Sequence, residues 1–90
     1  MTFVKRCDSM NIIWERKYVG FQYTDIHGNE RKYYPDFYLP EFEIWVEIKG
    51  YGTTEVKHKV ETATKENSLN LIVLDKLEDI RNFTHPWTNG

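Results

Sequence analysis

Apolar positions change their spacing several times along this chain, and each change marks an element. Phe3, Val4 and Cys7 recur at helical spacing, which predicts a short helix from Phe3 to about Met10. The next stretches, Asn11 to Val19 and Gly20 to Thr24, are rich in Ile, Trp, Tyr, Val and Phe and predict one or two strands. Asp25-Ile26-His27-Gly28-Asn29 reads as a turn, since Gly28 and Asn29 tolerate positive φ. A hairpin partner is expected from Glu30 to Leu39. After a turn at Pro40-Glu41, a further strand is expected from Glu43 to Lys49.

The period then lengthens. Val56, Val60, Ala63 and Asn67 fall at i, i+4, i+7 and i+11, one face of an amphipathic helix from Thr54 to about Asn67. Thr53 or Thr54 is suited to cap it, and Glu55 lies in its first turn, where the helix dipole favours an acid. Leu69 to Leu74 reads as a buried strand and Lys76 to Phe83 as a closing helix. The expected order is helix, three strands, helix, strand, helix. This is an α/β class with a mixed sheet, in one domain over residues 1–83 followed by a tail at 84–90.

Composition narrows the possibilities. Ninety residues suit one small domain with a modest core, and the 16% aromatic content compensates because each ring buries a large area. No apolar run is long enough for a membrane span, so no membrane partner is expected. The single Cys7 cannot form an internal disulfide, which points to a reducing cytoplasm. The three histidines stand in separate elements without zinc-ligand spacing. A phosphate-binding loop of the GxxxxGK[ST] type is absent, so nothing argues for an NTPase. The net charge of −2 means that a nucleic-acid partner must be met by local charge, a bound cation or a second protein.

Candidate chemistry is concentrated in YYPDFYLPEFEIWVEIKG, Tyr33 through Gly50. Strand alternation puts Ile44, Val46 and Ile48 on one face and Glu43, Trp45, Glu47 and Lys49 on the other. Asp36 shares its face with Tyr34 and Tyr38. If the two strands are antiparallel neighbours in the right register, Asp36 and Glu47 converge; a slip of one residue separates them. Two close carboxylates suit a hard divalent cation such as Mg²⁺ or Mn²⁺, and a nearby ammonium can stabilise added charge on a phosphoryl group. The same residues also suit an ordinary solvated pair on a strand surface.

Pro35-Asp36 followed by Glu47-Ile48-Lys49 resembles the PD-(D/E)XK nuclease superfamily, with its restriction-endonuclease-like αβββαβ core. The wider strings, Tyr33 to Leu39 and Val46 to Gly50, are similar to phage endonuclease I type junction resolvases and related phage and transposon nucleases. The resemblance implies that Asp36 and Glu47 are metal ligands with the Ile48 carbonyl, and that Lys49 is the catalytic lysine. It further implies a Mg²⁺-dependent endonuclease acting on duplex or branched DNA, leaving a 5′-phosphate and a 3′-hydroxyl. A homodimer or protein partner is expected, since so small and acidic a chain offers little surface to grip a duplex alone.

Many such enzymes carry another acid on the first helix. Asp8 and Glu15 are the available candidates here, and neither is assigned. Arg31 and Lys32, and Lys57 and Lys59 on the following helix, are candidate contacts to nucleic acid. Edge-strand charges and a Lys57–Glu61 pair on a solvated helix face account for the same residues. A nuclease-like module without catalysis is the competing expectation.

Overall fold

The computed structural model describes residues 2–48 and 52–84. Among the described residues eight elements follow one another: α1 (Phe3–Ser9), β1 (Phe21–Thr24), β2 (Glu30–Tyr33), β3 (Phe37–Leu39), β4 (Ile44–Ile48), α2 (Thr54–Glu66), β5 (Leu71–Leu74) and α3 (Leu77–Arg81). The chain is a small α/β fold in which a mixed sheet is flanked by helices. Strands β3, β4 and β5 make that sheet, with β3 antiparallel and β5 parallel to the central β4. Strands β1 and β2 form a separate antiparallel hairpin.

Local chemistry explains the boundaries. Thr53 caps α2, its hydroxyl accepting the Val56 N–H at 3.1 Å. The hairpin turn is organised by Asp25, whose carboxylate accepts the N–H groups of His27 and Asn29, each at 2.9 Å. Gly28 takes φ 82° there, a conformation that favours glycine. Between β3 and β4 the Phe42 N–H reaches the Leu39 carbonyl, and Glu43 accepts a left-handed φ of 53° before the strand begins at Ile44.

Two expectations are corrected. The run from Glu30 to Leu39 is two strands, because Pro35 has no N–H to offer a ladder and the chain breaks there. The apolar run from Asn11 to Val19 joins the sheet only at a single bridge, Glu15 to Tyr38, with both bonds at 2.8 Å. On the outer edge of β3 the next position after Tyr38 that would donate is Pro40, which cannot, so the ladder does not lengthen.

The core is two clusters on the two faces of the sheet. Phe37, Leu39, Ile44, Val46 and Leu74 pack with Phe3 and Cys7 of α1 and Ile80 of α3. Burial pushes the Cys7 thiol up to about 11, with Asp8 adding to the effect, so it is a packing residue. On the opposite face Val60 and Ala63 of α2 pack with Tyr23 and Tyr33 of the hairpin, against Leu71 and Val73. The anticipated helix face is therefore the buried one. Among the described residues no helix is long and apolar enough to cross a membrane.

Candidate metal centre

The register answers the question that the sequence leaves open. Phe37 pairs with Val46, Tyr38 with Trp45 and Leu39 with Ile44. Continuing the register by one residue sets Asp36 opposite Glu47. The Trp45 N–H is bonded to Asn70, on the β5 side, at 2.8 Å. Backbone groups at 45 and 47 therefore turn toward β5, which makes Asp36 and Glu47 a non-hydrogen-bonded cross-strand pair. In such pairs the Cα atoms lie about 4.5 Å apart and the side chains are at their closest. Tyr38 and Trp45, one such pair earlier, bring their rings to 4.6 Å. The Asp36 carboxyl is near enough to Glu47 to push that carboxyl's pKa upward.

Pro35 shapes the other side of the site. It falls opposite Ile48, in a position where a residue would ordinarily exchange two backbone bonds. The Ile48 N–H is instead taken by Asp36 Oδ2 at 2.8 Å. A strand residue directs its N–H and C=O to the same side, so the Ile48 carbonyl also faces the Asp36 side, and Pro35 has no N–H to bind it. Asp36 is thereby fastened to the β4 backbone at the residue that follows Glu47.

Glu47 is half-buried between the sheet and the hairpin. The Tyr33 hydroxyl donates to its Oε1. Lys59, on α2, holds its ammonium 5.9 Å above the ring of the same tyrosine. Burial pushes the Glu47 carboxyl above its ordinary range; the Tyr33 bond opposes that, the Asp36 charge reinforces it and the Lys59 charge opposes it. The result is a raised value. Asp36 also lines a cavity of about 700 Å³ with Arg16, Phe37, Ile48, Leu74 and Lys76. Ile48 and Leu74 end the parallel strands β4 and β5, and crevices at the carboxyl ends of parallel strands are favoured ligand sites.

The remaining candidates separate. Lys49 lies outside the described residues, as does the tail beyond Thr84. Lys57 faces Glu61 at 4.0 Å with both side chains exposed, the solvated helix pair. Arg31 is bonded to Asp25 at 3.0 Å, and Lys32 is exposed on the far face of the hairpin from Tyr33. Lys59 alone of these four is brought toward Glu47. Asp8 accepts the Trp14 indole N–H at 3.1 Å, and Glu15 is held by its backbone to Tyr38. Among the described residues no group of three His, Cys, Asp or Glu is placed to hold a metal, so no third acid joins the pair.

Sequence reasoning missed Tyr33 as a partner of Glu47 and missed Arg16 beside Asp36. Tyr33 sits directly before the motif, but it belongs to the hairpin and reaches Glu47 only through tertiary packing.

The donor set fits a hard cation: acceptor oxygens only, anionic, with a backbone carbonyl beside them. Comparison with protein-family models, with curated proteins and with solved structures returned no match.

Proposed function

We propose that this chain is a divalent-metal-dependent endonuclease of PD-(D/E)XK type, with a restriction-endonuclease-like core, that hydrolyses phosphodiester bonds in DNA. The observation that carries this reading is the Asp36 carboxylate fastened to the Ile48 N–H at 2.8 Å, one position beyond the Phe37–Val46 pair and beside Glu47. Asp36, Glu47 and the Ile48 carbonyl would hold Mg²⁺ or Mn²⁺. When bound, such an ion polarises the phosphodiester and lowers the pKa of a coordinated water.

The chain's own residues supply the rest. Asp36 ties its carboxylate to the end of β4 through Ile48, and Tyr33 fixes the rotamer of Glu47. Lys49, next in the chain after Ile48, supplies an ammonium to the charge that builds on the phosphoryl oxygens, or orients the attacking water. The products are a 5′-phosphate and a 3′-hydroxyl. A second copy of the chain, or another protein, extends the grip on a substrate that an acidic chain of this size would otherwise hold weakly, and two copies suit two-strand cleavage.

One observation favours a second reading, a nuclease-like module that binds without cutting: the described residues supply two acids and no third. Incubation with supercoiled plasmid and with branched DNA, with and without Mg²⁺ or Mn²⁺, separates the two. Metal-dependent nicking that disappears in Asp36→Asn and in Lys49→Ala, each folded by circular dichroism, is the expected result. Binding without turnover under every condition supports the module. Sedimentation of the intact protein tests the dimer, and a monomer overturns it.

A further inference from the structure

The cations that border Asp36 are not the ones nominated by sequence spacing. The segment between α1 and β1 meets the outer edge of β3 at one bridge, Glu15 to Tyr38. Arg16 and Lys17 follow Glu15 directly, and Arg16 lines the same cavity as Asp36. The Arg16 guanidinium stands 4.9 Å from the centre of the Phe37 ring, and the Lys17 ammonium 4.4 Å from that of Tyr38. Phe37 and Tyr38 point to opposite faces of the sheet, so one cation lies on each face at the strand that carries the acid. Both residues are exposed, and among the described residues neither forms an ion pair. A charged head already held over a ring loses less freedom when it binds an anion.

Aromatic surface continues from these cations. Tyr18 is 81% exposed and Tyr34 is 52% exposed. The Tyr34 ring rests on the backbone at Gly20, so closely that a Cβ there would meet it at 2.9 Å. Lys32 shares the outer face of the hairpin with Tyr34. Between Glu15 and Asp25 the chain has no acid, so this edge is locally basic although the whole chain is not. Basic groups interleaved with exposed rings match a strand that offers phosphates and unpaired bases.

We infer that Arg16 and Lys17 grip the backbone of a nucleic-acid strand laid across the Asp36–Glu47 pair, and that Tyr18 and Tyr34 stack its unpaired bases. This rests on the proposed function and adds to it the residues that hold the substrate and the local form of the strand. The test is fluorescence anisotropy of a labelled single-stranded oligonucleotide in EDTA, titrated with the intact protein across a range of salt.

Replacing both cations, as Arg16→Gln with Lys17→Gln, is expected to reduce the slope of log affinity against log salt by about 1.4. Between about 50 and 200 mM salt, wild type then loses about sevenfold more affinity than the double variant. The charge-conserving pair Arg16→Lys with Lys17→Arg keeps the wild-type slope, and Lys57→Gln leaves it unchanged. Should the double variant fail to fold by circular dichroism, Lys17→Gln alone is expected to lower the slope by about 0.7. Tyr18→Ala and Tyr34→Ala each weaken single-strand binding about fivefold or more at constant slope, and leave duplex binding unaltered. A plasmid-nicking wild type whose cation variants retain the full slope overturns this inference alone. A wild type that binds no oligonucleotide and nicks nothing overturns the proposed function and this inference with it.

Discussion

A carboxylate held between a sheet and a hairpin needs a donor, and Glu47 finds one in the Tyr33 hydroxyl, itself buried to 2% exposure. Tyr33→Phe keeps the ring and deletes that donor. Because the acceptor is charged at neutral pH, the expected loss is about 1–2 kcal/mol of folding stability. The loss shrinks in acid, where Glu47 is neutral and makes a weaker bond. Urea denaturation in EDTA at both pH values checks this, and equal stability of the two proteins at neutral pH contradicts it.

The raised Glu47 carboxyl makes a second residue-scale claim. A carboxyl whose folded pKa exceeds its unfolded value favours folding while protonated. Its ionisation destabilises the fold as pH rises from the ordinary glutamate range through the folded value. Glu47→Gln removes that ionisation and still accepts from Tyr33. Without metal it is therefore expected to be more stable than wild type at neutral pH, with the gain vanishing below the ordinary carboxylate range. A constant difference at all pH values contradicts the assignment.

At the scale of elements, Pro35 governs where the β3–β4 ladder stops. An amide at this position would pair with the Ile48 carbonyl and extend β3 toward β2. Pro35→Ala is thus expected to leave stability unchanged or improved. Under the proposed function it weakens Mn²⁺ binding several-fold in calorimetry, because a backbone N–H competes for the carbonyl oxygen. Undiminished binding together with a lengthened strand by hydrogen exchange removes the Ile48 carbonyl from the ligand set.

Elements whose cause is local were legible in the sequence. The Thr53 cap, the Val56–Val60–Ala63 face and the Asp25 turn follow from spacing and side-chain chemistry within a few residues. Alternation also grouped Asp36 with Tyr38 and Glu47 with Trp45, and the register pairs Tyr38 with Trp45. Features that depend on non-local contacts were not legible. The run before Gly20 has strand-like composition, but its place in the sheet depends on donors that β3, bounded by prolines, does not offer. Nor does any spacing relate Lys59 or Tyr33 to Glu47, since α2 and the hairpin meet through tertiary contacts, among them the cluster of Val60, Ala63, Tyr23 and Tyr33 and the Thr24 N–H bond to Glu66.

For the molecule as a whole, that meeting makes one strand common to two cores. Strand β4 sends Val46 into the cluster with α1 and α3, and turns Trp45 and Glu47 toward the hairpin and α2. Trp45 packs edge-on against Phe21 at 5.1 Å, so its fluorescence reports the hairpin layer. Trp14 packs edge-on against Phe37 at 5.8 Å and reports the other. Val46 is fully buried, and Val46→Ala is expected to cost about 2 kcal/mol through lost transfer energy and the cavity left behind. If the two layers form one cooperative unit, the loss appears equally in both. Trp14→Phe and Trp45→Phe versions of the protein, each isolating part of the indole signal, should then unfold with midpoints that coincide with far-ultraviolet circular dichroism, before and after the valine change. Separate midpoints would mean that the hairpin layer melts on its own. Glu47 takes its hydrogen bond from that layer while Asp36 binds β4, so a hairpin that melts first would release Glu47 and leave Asp36 in place.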